Sequence, residues 1–227
     1  MRNTPILTMG HRSPNKYYEI LAKILASGRL QSNKKGRIKY LLNQQLRLTP
    51  ADLLNIFETH PIARKKLKAE LQLFVQGERN IERYHEAGIA WWDYCGGTLI
   101  NSYPTYFQKL PPLISQINRE KRNSKNYVLF IGETGAESSQ PPCLSLIQFQ
   151  IDRGELVMSA YQRSSDANLG LPADLYHLYL VSRMVDVPLK SITIHLANVH
   201  IYENNIANTH RLLNGDESAT FALNVGR

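Results

Sequence analysis

Two alternating apolar runs constrain this chain more than any other feature. C-L-S-L-I-Q-F-Q (143–150) and E-L-V-M-S-A-Y-Q (155–162) lie on either side of Asp152-Arg153-Gly154. A period of two belongs to a strand with one buried face, and a glycine-containing reversal joins two such strands as an antiparallel hairpin. Folding this hairpin brings Cys143, at the head of the first run, toward Arg163, just past the end of the second. The chain is thereby committed to a sheet with a cysteine and an arginine at one end of it.

Helical patterns surround the hairpin. N-K-Y-Y-E-I-L-A-K-I-L-A-S (15–27) spaces its apolar residues as a helix does, with Gly28 as its stop. Thr49-Pro50-Ala51-Asp52 has the form of a helix start. Further helices are expected over about 61–75, in a short segment closed by Gly88, and at the start of 111–126. I-K-Y-L-L and Q-L-R-L, within 29–48, are expected to pair as strands. Y-V-L-F-I (127–131) reads as a buried strand and S-I-T-I-H-L-A (191–197) as an alternating one. D-L-Y-H-L-Y-L-V-S-R-M-V (174–185) is apolar on more than one face and reads as a helix covered by the sheet. The expected class is α+β, a mainly antiparallel sheet with helices packed against it.

A length of 227 residues with 43% hydrophobic content is enough for a full core and is read as one domain, 1–227. The sequence has no apolar run of membrane-spanning length and no signal-peptide pattern, so a soluble, cytoplasmic protein is expected. Cys95 and Cys143 are too few for a disulfide framework, and no Cys/His spacing resembles a zinc site, so no metal is expected. The charge is lopsided: residues 1–69 carry 14 Lys/Arg and 3 Asp/Glu, a balance of +11, whereas 70–227 carry 13 and 16, a balance of −3. A basic N-terminal part fits a solvated face, an anionic small molecule or nucleic acid, and charge alone does not choose among them.

A lone cysteine at a strand start is commonly a small buried hydrophobe. Arg163 supplies a second reading, because a nearby guanidinium favours thiolate over thiol and makes Cys143 a nucleophile.

Four segments together resemble the thymidylate synthase family. Q-R-S-S-D-A-N-L-G-L-P-A-D (162–174) is similar to that family's Q-R-S-x-D-x-x-L-G-L-P-x-N, and P-P-C (141–143) to its nucleophile loop. A-E-L-Q-L-F-V-Q-G-E-R-N-I (69–81), followed by A-W-W-D (90–93), resembles E-L-x-W-F-L-x-G-x-x-N-I and its W-D step. A-N-V-H-I-Y (197–202) resembles G-D-x-H-x-Y. They occur in the family's order over a catalytic core read as 70–210.

The resemblance implies a homodimer that uses methylenetetrahydrofolate and a pyrimidine nucleoside monophosphate, without membrane attachment and with no role for nucleic acid expected. By it, Cys143 adds to C6 of the base, Glu70 handles protons near the base, and Tyr106 in S-Y-P-T-Y helps remove the C5 proton. Arg163 and Ser164 match phosphate ligands, with Lys125 of N-S-K-N-Y offered across the dimer in place of the family's arginines. His200 and Tyr202 match residues that bind the sugar hydroxyl. Asp166, Trp92, Leu169 and Gly170 match folate-contacting positions.

The departures carry the finer reading. Asp174 stands where thymidylate synthases have Asn, and a carboxylate acceptor suits the N4 amine of cytosine; the related deoxycytidylate hydroxymethylases carry Asp there. Its competing reading is a cap for the helix that follows. Leu144 replaces the His after the nucleophile, and Asn198 replaces the Asp of G-D-x-H. S-N-K-K-G-R (32–37) stands in the region of the family's phosphate loop, offering Lys34, Lys35 or Arg37. The sequence ends F-A-L-N-V-G-R, short of the family's closing extension, so freer access of water is expected. The implied activity is C5 hydroxymethylation of dCMP or CMP; a thymidylate synthase-like methyltransferase and a non-catalytic nucleotide- or nucleic-acid-binding protein are the alternatives.

Overall fold

The structure is a computed structural model that describes residues 15–133 and 141–223. In chain order its elements are α1 (Lys16–Ser27), β1 (Arg29–Asn33), β2 (Gly36–Leu48), α2 (Pro50–Thr59), α3 (Arg64–Gln76), α4 (Ile81–Glu86), α5 (Tyr103–Phe107), α6 (Leu110–Glu120), β3 (Val128–Phe130), β4 (Leu144–Asp152), β5 (Glu155–Gln162), β6 (Ser165–Asp166), α7 (Gly170–Ser182), β7 (Leu189–Tyr202) and α8 (Ile206–Leu213).

The expected hairpin is present. β4 and β5 pair antiparallel from Asp152↔Glu155 to Leu144↔Gln162, and Arg153 and Gly154 both take positive φ at the turn, the backbone that suits the twist of a tight hairpin. The sheet runs β1-β2-β7-β5-β4-β3, with β6 beside β7. Most pairings are antiparallel, but β5 and β7 are parallel, as are β6 and β7. Chain between β5 and β7 returns through α7, the crossover that parallel neighbours require.

Local chemistry explains the helix ends. Asn15 caps α1 by accepting from Tyr17 N. Thr49 and Asp52 cap each other's backbone at the start of α2, with Pro50 in the first turn. Gly77 closes α3 at φ +73, a conformation that would strain any residue with a Cβ. α7 is apolar on most sides because it is sandwiched: one side meets the sheet and the others meet α2 and α3. Ile147, Phe149, Leu156, Met158, Ile192 and Ile194 face this helical layer fully buried, where truncating one to Ala costs roughly 2–5 kcal/mol.

Some segments fold differently from the sequence reading. I-K-Y-L-L and Q-L-R-L do not pair with each other; they form one continuous strand, β2, which passes Asn43 at φ +51 and pairs along its length with β7. The long partner strand holds both halves in line, because β7 pairs with β2 on either side of Asn43. Y-V-L-F-I is not wholly buried, because β3 is a sheet edge and Phe130 is 70% exposed. The opposite sheet face carries the alternate residues, including the half-buried Val157 and Ser159 and the exposed Tyr161.

Candidate functional site

The hairpin's open end builds the site. Arg163 N donates to Cys143 O at 2.9 Å, so the two strands deliver nucleophile and arginine side by side as the hairpin register requires. Arg163 Nη2 reaches Pro141 O at 2.6 Å, and its Nε lies 3.1 Å from both Pro141 O and Pro142 O. The guanidinium thus clamps the P-P-C loop. Beneath it, Gly132 at φ +98 leaves no room for a side chain: a Cβ would come 3.0 Å from Pro142 Cδ and 3.2 Å from Pro141 Cβ. Leu144 N donates to Tyr103 Oη at 3.2 Å, which holds the other side of the cysteine.

Cys143 opens into a cleft of about 880 Å³, lined also by Glu70, Trp91, Trp92, Asp174, His177, His200 and Tyr202. A separate depression of about 580 Å³ lies on the outer sheet face between Arg47, Asp152 and Lys190. That depression has no cysteine in its lining, and the buried titratable groups gather in the first cleft.

Burial pushes the Cys143 thiol up; Arg163 and Lys35 pull it down and Asp174 adds to the rise. The sequence reading has Arg163 lowering this pKa, and its contribution has that sign, but desolvation wins. Cys143 therefore rests as a thiol with two cations poised to favour thiolate.

Glu70 is 2% exposed. Trp91 Nε1 and Trp92 Nε1 both donate to its Oε1 at 2.5 Å, and His177 Nε2 stands 3.3 Å from its Oε2. Burial raises the carboxyl to about 7, against the opposing effect of the two indoles. Asp174 is likewise raised to about 7, by burial first and then by Glu70, while the Gln162 amide opposes. His200 is lowered to about 4 by burial and is neutral. Its Nδ1 lies 3.1 Å from Asn198 Oδ1, which leaves Nε2 as an acceptor.

Most of the residues singled out in the sequence meet here. Arg163, Ser164, Asp166, Leu169, Gly170, Trp92, His200 and Tyr202 all line the cleft with Cys143, Glu70 and Asp174. Lys34 and Lys35 line it as well, and Lys35 Nζ lies over the Tyr94 ring at 4.8 Å. Arg37 instead pairs with Glu203 at 3.0 Å on the surface. Lys125 is exposed in the loop before β3, outside this chain's cleft.

Tyr106 is a correction. It does not line the cleft; its hydroxyl donates to Asn101 Oδ1 in a buried contact. Tyr103, one turn earlier on the same short helix, lines the cleft instead. Trp91, His177 and Gln162 are further site groups that motif reading passed over. His177 carries one available signal, since it lies three residues after Asp174 on a helix and so on the same face.

A family model for thymidylate synthase matches residues 15–226. The chain belongs to the thymidylate synthase family. That membership makes it a nucleotide C5 one-carbon transferase at the level the family shares, and thymidylate synthases use methylenetetrahydrofolate, bind a pyrimidine nucleoside monophosphate and usually work as dimers. Among the described residues no His, Cys, Asp and Glu group could hold a metal ion, and no helix is long and apolar enough to cross a membrane.

Proposed function

We propose that this protein is a pyrimidine nucleotide C5 hydroxymethyltransferase acting on dCMP or CMP with methylenetetrahydrofolate. One observation carries the base assignment: Asp174, where the family has Asn, presents a carboxyl to the cleft with Oδ2 held by Gln162. Oδ1 is then the edge offered to the base. As an acceptor it matches the N4 amine of cytosine and opposes the O4 acceptor of uracil.

The cleft residues suit the steps of such a reaction. Cys143 Sγ adds to C6 of the pyrimidine and leaves C5 nucleophilic, so one difficult substitution becomes two easier steps. Glu70, buried and near neutrality, can take up and return a proton at working pH. Arg163 and Lys35 suit the phosphate, and His200 Nε2, as an acceptor, suits a sugar hydroxyl. Loss of the C5 proton would release the one-carbon carrier and leave an exocyclic methylene; water would then add to that carbon to give the hydroxymethyl group, and the Cys143 thiolate would leave C6 to restore the ring double bond, with no reductant needed.

The folate fits what the cleft offers. Trp92, Leu169, Gly170 and Phe221 give apolar and aromatic walls beside Asp166, whose carboxyl burial raises to about 6; a flat ring with N–H donors on one edge suits that combination. When bound, the cofactor supplies a one-carbon unit at the oxidation level of formaldehyde.

A homodimer through the outer sheet face is part of this proposal. It is supported by the family's usual assembly and by the half-buried Val157 and Ser159 and the exposed Tyr161 ring there. Lys125 would then reach a partner's phosphate.

Tritium release from 5-tritiated dCMP, CMP and dUMP, with and without methylenetetrahydrofolate, tests the whole reading. Cys143-dependent release from a cytosine nucleotide with a gain of hydroxymethyl mass is expected. A gain of methyl mass would move the protein to the methyltransferases, and no release from any of the three would end the substrate assignment.

A further inference from the structure

Glu70 meets three nitrogen donors, and the third is neither tryptophan. His177 lies on α7, 6% exposed. Its Nε2 is 2.9 Å from Leu67 O and 3.3 Å from Glu70 Oε2. Leu67 and Glu70 are three residues apart on α3, so one N–H is forked between the helix backbone and a carboxyl one turn on. The ring also stands edge-on to Phe74, with centroids 5.8 Å apart. Contacts on two sides hold the imidazole in one orientation.

The closeness of His177 and Glu70 is not an ion pair. Burial lowers the imidazole to about 4 and raises the carboxyl to about 7, so the two are not charged together. Facing two oxygens, Nε2 carries the proton. A lysine or arginine in this place would hold Glu70 ionised well below neutrality. A neutral N–H orients the carboxyl without removing its ability to exchange a proton.

We propose that His177 is a positioning residue for Glu70: its Nε2–H, anchored on Leu67 O, holds Oε2 while the two indoles hold Oε1, which fixes the plane of the carboxyl toward the nucleotide. The inference rests on the reading of Glu70 as the proton-handling group. Other titratable groups that feel Glu70 are Asp174 on α7, Tyr84 on α4, Tyr94 after the tryptophans and Tyr103 on α5. Of these only Asp174 titrates in the same range, so a probe that distinguishes glutamate from aspartate is required.

The test uses the full chain labelled with carbon-13 at the glutamate carboxyl, with the Glu70 resonance assigned by its loss in Glu70→Gln. His177→Leu is expected to lower kcat for tritium release about tenfold with KM within about twofold, as for an interaction used after binding. It should also move the Glu70 titration midpoint upward, because a lost donor no longer stabilises the carboxylate. His177→Gln, which keeps an N–H at similar reach, should restore most of both. Should the Leu variant not fold, His177→Met carries the same comparison. If the apolar variant is less stable but keeps kcat and the Glu70 midpoint, His177 only staples α7 to α3 and the proposal is overturned. If the unmodified protein releases no tritium, the functional reading fails, while the Glu70 midpoints still decide whether His177 holds the carboxyl.

Discussion

Gln162 donates its side-chain amide to Asp174 Oδ2, joining the last residue of the hairpin to the first turns of the crossover helix. Gln162 is fully buried, and its Oε1 has no partner among the described residues. A buried amide with one end committed and the other unsatisfied is costly to rotate. The bond therefore fixes which carboxyl oxygen of Asp174 can meet a base.

Asp174→Asn tests that geometry directly. The amide can donate to O4 and accept from N3–H, so the ratio of kcat/KM for dCMP over dUMP should fall by at least about a hundredfold, the scale on which mismatched buried polar groups discriminate. Competition between the two tritiated nucleotides in one tube reads the ratio. An unchanged ratio would assign base selection to another residue.

The same carboxyl makes selectivity depend on pH. Asp174 is raised to about 7, so above that pH it is an acceptor suited to N4 of cytosine, and below it the protonated oxygen can donate to O4 of uracil. The dCMP-to-dUMP ratio should fall as pH drops from 8.5 to 6, by up to about tenfold per pH unit below the midpoint, and the dependence should vanish in Asp174→Asn. A ratio flat in both proteins would mean that Asp174 does not titrate in contact with the base.

Lys35 is an exposed side chain near the cysteine, where it favours the Cys143 thiolate. Lys35→Gln should slow iodoacetamide alkylation of Cys143 about two- to threefold at pH 7.5, a modest effect because solvent screens the charge. It should weaken binding of a nucleoside monophosphate about tenfold and leave the nucleoside unaffected, since only the former carries the dianion. Equal weakening of both would remove Lys35 from the phosphate site.

What could be read in the sequence was what is specified locally. The hairpin from 144 to 162 follows from alternation and a glycine-containing turn, and α2 follows from the Thr49–Pro50 helix start. The cleft's motif residues were legible because each sits in a short run whose spacing survives folding. Choices made by packing were not. Tyr103 and Tyr106 lie three apart on a one-turn helix, both buried, and only packing against Phe74 and the P-P-C loop brings Tyr103 to the cleft. β6 has two residues and exists only because β7 is long enough to pair with it. His177 in an apolar helix reads as core until α3 is placed against it.

Glu70 and Asp174 should cost the resting protein stability, and pH exposes the cost. Glu70 has a folded value of about 7 against an ordinary 4.5, so the folded state holds its proton to higher pH than the unfolded chain does. Stability from this group is therefore lost as pH rises from about 4.5 through 7, and the penalty is complete above that. Glu70→Gln, whose amide oxygen can still accept from the two indoles, should stabilise the protein at pH 8 by up to about 3 kcal/mol and change little near pH 4.5. Asp174→Asn should act in the same direction. Because Glu70 is one of the groups that raise Asp174, the double variant should gain less than the sum of the two. Denaturant titrations of the four proteins at pH 4.5 and 8 measure this. A Glu70→Gln protein no more stable than the parent at pH 8 would mean that the carboxylate is compensated in the cleft, and Glu70 would then ionise near its ordinary value.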